Sequence, residues 1–208
     1  MELVDIVLHL DAHLLTLVHD YGAWVYAILF AIIFAETGFV VTPFLPGDSL
    51  LFVAGAVAAG GALNPHALFA VLALAAILAN SANYAIGRWL GKRFFTRSGS
   101  RWLNPKHLQR AHDFYDRHGG KAVVISRFLP IVRTYVPFVA GMGSMSPARY
   151  TAYNVAGGVA WAGLLVYAGF FFGNIPWIKA NLTWLILGII AVSLLPLAVA
   201  WLRSRKAA

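Results

Sequence analysis

The segment RFLPIVRTYVP, residues 127–137, decides how this chain folds, because it places two arginines and two prolines inside a long apolar stretch. The string Phe-Leu-Pro occurs a second time, at residues 44–46, and acids flank that copy: Glu36 precedes it and Asp48 follows it. Each copy continues to an Ala-Gly pair. The chain therefore carries one motif in two versions, one acidic and one basic.

The composition around these segments indicates a membrane protein. Hydrophobic residues make up 60% of the chain and charged residues only 12%, whereas soluble domains carry roughly 25% charged residues. Several windows of about 20 residues carry almost no charge, which is the length that crosses a bilayer core. The long aliphatic runs do not alternate as barrel strands do. The absence of cysteine excludes disulfides and thiolate metal sites. We therefore predict an all-α polytopic membrane protein.

The charges are distributed unevenly along the chain. Nine of the sixteen Lys and Arg residues lie between residues 88 and 121, and three more lie between 203 and 206. The first 50 residues hold six acids and neither Lys nor Arg. A nucleic-acid-binding protein would carry such a basic cluster on a soluble domain, but here it lies between apolar segments. The positive-inside rule therefore predicts that the basic loop and the C-terminus are cytoplasmic.

The hydrophobic pattern and its breaks divide the chain, which we predict to be a single membrane domain over residues 1–208. The predicted parts are an amphipathic helix at 1–20, a re-entrant hairpin at 37–62, a full span at 66–88, a basic cytoplasmic loop at 89–120, a second re-entrant hairpin at 121–145 and two C-terminal spans within 147–202. Another apolar run covers residues 22–36.

Charge placement decides the topology of the segment 121–145. If that segment crossed the membrane once, the two spans after it would leave the basic C-terminus outside. If it enters and returns, both basic regions are cytoplasmic. Pro130 and Pro137 are expected to break the helix and allow the return. The same reasoning makes the first Phe-Leu-Pro segment a hairpin that enters from the opposite face. We therefore predict inverted repeats, with two re-entrant helical hairpins, about four membrane-spanning helices and the N-terminal amphipathic helix.

Four charges inside the apolar segments are the candidate functional residues. Arg127 and Arg133 suit the binding of a lipid phosphate, because a guanidinium pairs bidentately with phosphate and stays charged. The alternative is a structural ion pair with Glu36 and Asp48 that holds the hairpins together. Both interpretations can be correct if an arriving phosphate displaces the acids from the arginines. Charges in a bilayer are costly and usually mark a functional site.

The two acids are candidates for proton coupling. A low-dielectric cavity disfavours the ionised carboxylate and a nearby arginine favours it, so Glu36 and Asp48 could alternate between a proton and an arginine. For Asp48 a second interpretation stays open: it precedes an apolar run that begins at Ser49 and could simply cap that helix. Glu36 has no such local explanation.

Several strings resemble the signatures of the DedA family. They are ETGFVVTPFLPGDSLLFVAG at residues 36–55, RFLPIVRTYVPFVAGM at 127–142 and NYAIGR at 83–88. The resemblance covers nearly the whole chain. It implies a bacterial inner-membrane protein with two re-entrant hairpins that translocates lipid, associated with undecaprenyl phosphate and the proton-motive force. The family's essential charges correspond to the two acids and two arginines above. The chain departs from the pattern at Ala79-Asn80, where the family commonly has Gly-Asp, and at Ser126, where it has Gly.

These observations together predict an inner-membrane transporter that moves an anionic lipid phosphate, most plausibly undecaprenyl phosphate, between leaflets with proton coupling. The alternatives are a general phospholipid scramblase or flippase and a proton-coupled cation antiporter. A lipid phosphatase would need a nucleophile or a carboxylate-metal cluster near the arginines, so no enzyme, cofactor or metal is predicted. Membrane lipids and protons are the expected partners, a homo-oligomer is allowed, and nucleic acid is not expected.

The remaining site predictions concern polar and proline residues near the hairpins. The candidates for lining the cavity are Pro46, Ser49, Asn83, Pro130, Thr134 and Asn154. Asn80, Asn83 and Asn154 are interpreted either as residues that hydrogen-bond the hairpins or as residues that line the path, and we favour the structural role.

Overall fold

The computed structural model describes residues 10–38, 47–94, 112–113, 115–129, 132–143, 145–173, 175–181 and 188, and these residues form a helical protein. The helices are α1 (Leu10–Tyr21), α2 (Trp24–Gly38), α3 (Gly47–Ala59), α4 (Pro65–Phe94), α5 (Lys121–Ile125), α6 (Val132–Met142), α7 (Pro147–Phe172) and α8 (Pro176–Ala180), with a 3₁₀ turn at Ser126–Phe128 between α5 and α6.

Two of these helices are long and apolar enough to cross a membrane. They contain the candidate spans Pro65–Trp89 and Pro147–Phe172, of 25 and 26 residues. Both agree with the spans predicted from the sequence, and the apolar run at 22–36 forms α2. Among the described residues, the most exposed tryptophans are Trp24, Trp89 and Trp177, and they lie near helix ends, where aromatic side chains meet the membrane interface. The helices and their apolar surfaces confirm the predicted fold class, an all-α protein with helices suited to a membrane.

The chain divides into two compact units. The first unit comprises Met1–Ile32, Leu45–Ala73 and Ala162–Ala208, and the second comprises Ile33–Phe44 and Leu74–Trp161. In the first unit α1 packs against α3, and Leu14 of α1 is almost fully buried. Most of the predicted C-terminal span, like most of the basic loop, lies outside the described residues.

Each unit contains the same close contact between a short helix and a long one. In the first unit, Gly55 of α3 lies against the backbone of Val166, and Gly169 of α7 lies against the backbone of Phe52. A Cβ atom at either glycine would overlap a carbonyl oxygen. Glycine is therefore required at both positions, because only a residue without a side chain lets the two backbones approach so closely.

The second unit repeats this contact with α6 and α4. Gly141 of α6 lies against the backbone of Tyr84, and Gly87 of α4 lies against the backbone of Phe138. In both units the short helix reads Phe-x-x-Gly, and its glycine meets the residue three positions before the glycine of the long helix. The ring of Tyr84 also stacks on Tyr150 at a centroid distance of 4.0 Å. The Ala-Gly pair that follows each Phe-Leu-Pro string therefore has a packing function.

The helix α6 corrects one expectation about the second hairpin. Pro137 was predicted to break the chain, but it lies inside α6. The helical path is instead interrupted at Leu129, which has an extended backbone conformation. A proline inside a helix removes one hydrogen bond to the carbonyl four residues earlier, here that of Arg133. The other turns of α6, most of whose residues are buried, hold the helix together.

We expect the substitution Gly169→Ala to lower the thermal stability of the protein markedly. The added Cβ would overlap the carbonyl oxygen of Phe52, and overpacking of this kind costs about 1–3 kcal/mol or more. Gly163→Ala in the same helix is the matched control, since its Cβ would meet only the Phe69 ring at 3.4 Å. Thermal unfolding in detergent should show a much lower melting temperature for Gly169→Ala and an unchanged melting temperature for Gly163→Ala. Equal melting temperatures would contradict the packing account.

Candidate functional site

The second unit contains a buried ion pair between two of the predicted charges. Glu36 lies near the end of α2 and Arg133 lies in the first turn of α6. The Nη2 of Arg133 donates a hydrogen bond of 2.5 Å to Oε1 of Glu36. The side chain of Glu36 is only 4% exposed, and that of Arg133 is 11% exposed. The Arg133 guanidinium also lies over the Trp161 ring, 5.6 Å from its centroid. Arg133 is thus held between a carboxylate and an aromatic face.

Arg127 lies in the same unit but has different partners. It belongs to the 3₁₀ turn and is 4% exposed. Its Nη2 donates to Oδ1 of Asn154 at 2.5 Å and to the Asn154 carbonyl at 3.2 Å, with a longer contact of 3.5 Å to the carbonyl of Ala76. Within the part of the chain that the structure describes, no carboxylate pairs with Arg127. Its positive charge is therefore surrounded by neutral dipoles.

Asn154 is fixed by hydrogen bonds to another helix. Its Nδ2 donates to the Ile77 carbonyl at 2.9 Å and to Oγ of Ser81 at 3.0 Å, both on α4. The next turn of α7 begins with Gly157 and Gly158, and a Cβ at either position would crowd the Arg127 side chain. The amide therefore positions the guanidinium, and the two glycines leave room for it.

We expect Asn154→Ala to destabilise the protein through Arg127. The substitution removes the side-chain acceptor of Arg127 and leaves the buried guanidinium with backbone carbonyls alone, and a hydrogen bond to a charged group is worth about 1.5–3 kcal/mol. Ser81→Ala is the milder comparison, because it removes one hydrogen bond worth about 1 kcal/mol. Thermal unfolding should show a larger fall in melting temperature for Asn154→Ala than for Ser81→Ala. A loss for Asn154→Ala no larger than that for Ser81→Ala would contradict the positioning role.

The two arginines line one pocket. Its walls are formed by Thr37 of α2, Asn80 of α4, Arg127, Arg133 and Trp161, and it encloses about 210 Å³, including space open to the outside. Two guanidinium groups line the pocket, and Glu36 bonds one of them, Arg133, so the charges of these three groups sum to +1. A buried site with surplus positive charge and directed N–H donors favours an anion.

The structure brings Glu36, Arg127 and Arg133 into one unit and assigns the other predicted acid to the other unit. Asp48 lies in the first turn of α3, where a negative charge favours the helix dipole. Ser49 follows it and is fully buried. Both interpretations of Asp48 stay open.

The remaining candidates lie beside the pocket or outside the described residues. Asn83 donates from Nδ2 to the carbonyl of Thr134 at 3.1 Å, which joins α4 to α6. Asn83 and Asn154 thus make the predicted structural hydrogen bonds. Pro46 and Pro130 lie outside the described residues.

Three residues that line the pocket were not predicted as site residues: Thr37, Asn80 and Trp161. Asn80 was expected to bond a hairpin, but its side chain faces the pocket, and only its backbone carbonyl accepts a hydrogen bond, from the Tyr150 hydroxyl at 2.8 Å. A signal existed for Trp161, which lies in the middle of a span rather than at an end, unlike the interfacial tryptophans. Thr37 gave no signal beyond its position next to Glu36.

Comparisons with known proteins assign the chain to a family of membrane proteins. Residues 45–171 match the model of the VTT domain. The chain is 52% identical over 208 residues to "Protein DedA" of Escherichia coli strain K12, covering 99% of this chain and 95% of that protein. It is 39% identical over 154 residues to "Inner membrane protein YqjA" of the same strain, covering 73% and 69%. An uncharacterised membrane protein of Mycobacterium leprae is 40% identical over 171 residues, covering 82% and 77%. No solved structure matches the chain. The chain therefore belongs to the DedA family of VTT-domain membrane proteins.

Proposed function

We propose that this protein moves an anionic lipid phosphate between the leaflets of the bacterial inner membrane, without making or breaking a bond. The observation that carries the proposal is Arg127, a buried guanidinium that pairs with no carboxylate among the described residues. Burying a charge without a counter-charge is unfavourable, and a phosphate that places one of its oxygens in the pocket would supply that counter-charge. The family resemblance favours undecaprenyl phosphate as the lipid.

In this proposal Arg133 acts as the exchangeable partner. It is bonded to Glu36 in the structure, and a phosphate in the same pocket would compete with that carboxylate for the guanidinium. When the phosphate wins, Glu36 loses its counter-charge and takes up a proton. When the phosphate leaves, the ion pair forms again and the proton is released. This exchange couples lipid movement to the proton gradient.

Asp48 is proposed as the second acid of the coupling. It lies in the first unit, in the first turn of α3. The family resemblance assigns it an essential charge, and the substitution Asp48→Asn separates that role from a local role at the start of α3. Asp48 lies inside a helix that begins at Gly47, so the asparagine loses the interaction of the charge with the helix dipole, worth about 0.3–1 kcal/mol. Loss of transport with no more than this small loss of stability would support coupling, whereas normal transport would leave the local role.

We propose that the two Phe-Leu-Pro segments form re-entrant hairpins in inverted repeats. The repeated Phe-x-x-Gly contact in each unit supports this, since equivalent parts of a repeat are expected to pack alike. The positive-inside rule supports a cytoplasmic basic loop and C-terminus, and the name of the YqjA relative supports the inner membrane.

The proposal is tested with purified protein reconstituted into vesicles that carry labelled undecaprenyl phosphate. The expected result is protein-dependent movement of intact lipid between leaflets, accelerated by a proton gradient. Equal movement of neutral and zwitterionic lipids would favour general scrambling instead. Release of inorganic phosphate would show an enzyme, and cation flux without lipid movement would show an antiporter. Either of the last two results would contradict the proposal.

A further inference from the structure

Three buried polar atoms converge on the pocket of the second unit. They are Oγ1 of Thr37, Oδ1 of Asn80 and Nε of Arg127, and none has a hydrogen-bond partner within the described part of the chain. The three residues are 5%, 2% and 4% exposed, and all three line the same pocket. Buried polar groups in native proteins are nearly always hydrogen-bonded, so three exceptions in one place indicate a ligand.

The chemistry of the three atoms is mixed. Arg127 Nε can only donate a hydrogen bond, Asn80 Oδ1 can only accept one, and the Thr37 hydroxyl can do both. A fully ionised phosphate oxygen would satisfy the arginine but could give nothing to the asparagine oxygen. A group that satisfies all three must carry both a lone pair and a proton.

The size of the pocket indicates how much of a ligand can enter it. The pocket as a whole has room for about one water-sized group, which is too small for a whole phosphate and suits a single hydroxyl. Surplus positive charge from Arg127 and Arg133 surrounds that space. The best-fitting group is therefore the P–OH of a singly protonated phosphate, with its charged oxygens on the guanidinium groups.

We propose that Thr37, Asn80 and Arg127 Nε form a hydroxyl slot that selects phosphate monoesters in their monoanionic form. The slot rests on the proposed function and adds the protonation state of its substrate. A phosphodiester has no P–OH to offer Asn80, and a dianionic monoester has lost it. The same chemistry could come from a lipid headgroup or from free phosphate.

The slot predicts a pH dependence that belongs to the substrate. The second ionisation of a phosphate monoester has a pKa of about 6, so the monoanion fraction falls about tenfold per pH unit well above that value. Among the described residues, the charged and titratable groups at the slot are Arg127 and Arg133, which line the pocket. Glu36 bonds Arg133, and the Tyr150 hydroxyl donates to the Asn80 carbonyl. Their titration would affect monoester and diester lipids alike, whereas loss of the P–OH affects only the monoester.

The test uses the full chain in vesicles with a fluorescent polyprenyl phosphate and with its methyl diester, which differs by one methyl group. We expect the monoester to move about tenfold faster at pH 6, the effect of one hydrogen bond to an anionic group, and this preference to shrink toward pH 8. Asn80→Leu and Thr37→Val should abolish the preference without lowering the melting temperature, because neither side-chain oxygen has a protein partner. Asn83→Leu, the matched change one turn away, should keep the preference and lower the melting temperature, since it breaks the bond to Thr134.

The outcomes separate the slot from the function on which it rests. Equal rates for both lipids with the native chain, or a preference that survives in Asn80→Leu, would overturn the slot and leave lipid transport standing. In that case the three atoms hold a structural water only. Rates no higher than in protein-free vesicles for either lipid would overturn the proposed function. Flux of labelled inorganic phosphate that depends on Asn80 would support the slot and assign it to free phosphate.

Discussion

Replacing Arg127 with lysine is expected to slow lipid-phosphate transport by about ten- to a hundredfold, although the positive charge is kept. The lysine ammonium lacks the planar fork with which a guanidinium contacts Asn154 and a phosphate at the same time. Hydrogen bonds to charged groups contribute about 1.5–3 kcal/mol each, so the loss of one corresponds to the expected change in rate. The rate of movement between leaflets in reconstituted vesicles measures the effect.

The control for this substitution is Arg149→Lys. Arg149 lies exposed in the first turn of α7, away from the pocket lining, so the same chemical change there should leave transport unaltered. Melting temperatures of both variants exclude misfolding as the cause. If Arg127→Lys transports at the native rate, the guanidinium of Arg127 does not bind the headgroup, and charge alone suffices.

The substitution Glu36→Gln is expected to remove the part of the pH dependence that arises from the protein. Glutamine can neither take up a proton nor form an ion pair, so Arg133 would lose the partner that competes with phosphate. Transport should therefore become slower and no longer respond to a proton gradient. The measurement is the ratio of native to variant rates between pH 5.5 and 8 with a single lipid, because protonation of the headgroup cancels in that ratio.

A matched control is Asp20→Asn, which removes an exposed acid paired with His19. The ratio of the native transport rate to that of Asp20→Asn should stay close to one at every pH. A ratio for Glu36→Gln that is also constant across the pH range would move the coupling to another group, and Asp48 would then be the next residue to test.

Much of the fold and two of the five residues that line the pocket could be predicted from the sequence, because membrane burial makes charge placement informative. Charged residues are rare in apolar spans, so Glu36, Arg127 and Arg133 were identified before their contacts were known. The start of α4 and the bounds of α7 follow from the length of the apolar runs and from the turn-forming residues that flank them, whereas α4 continues past the predicted end at residue 88 to Phe94.

The rest of the pocket could not be predicted, since it depends on how neighbouring helices are rotated. Asn80 and Asn83 are one helical turn apart and chemically identical, yet one faces the pocket and the other bonds the Thr134 carbonyl. Pro137 gave a misleading signal, because the buried turns around it hold the helix despite one missing hydrogen bond. An ion pair between the arginines and the acids was one of the interpretations of the sequence, but only the structure shows that Glu36 is the partner of Arg133.

The most direct test of lipid transport is the rate at which labelled undecaprenyl phosphate moves between the leaflets of vesicles that contain this protein. Vesicles with Arg127→Lys protein and vesicles without protein serve as references. The expected result is movement of intact lipid at least about tenfold faster with the native protein than with either reference. Movement no faster than in protein-free vesicles, measured with protein of native melting temperature, would contradict the account.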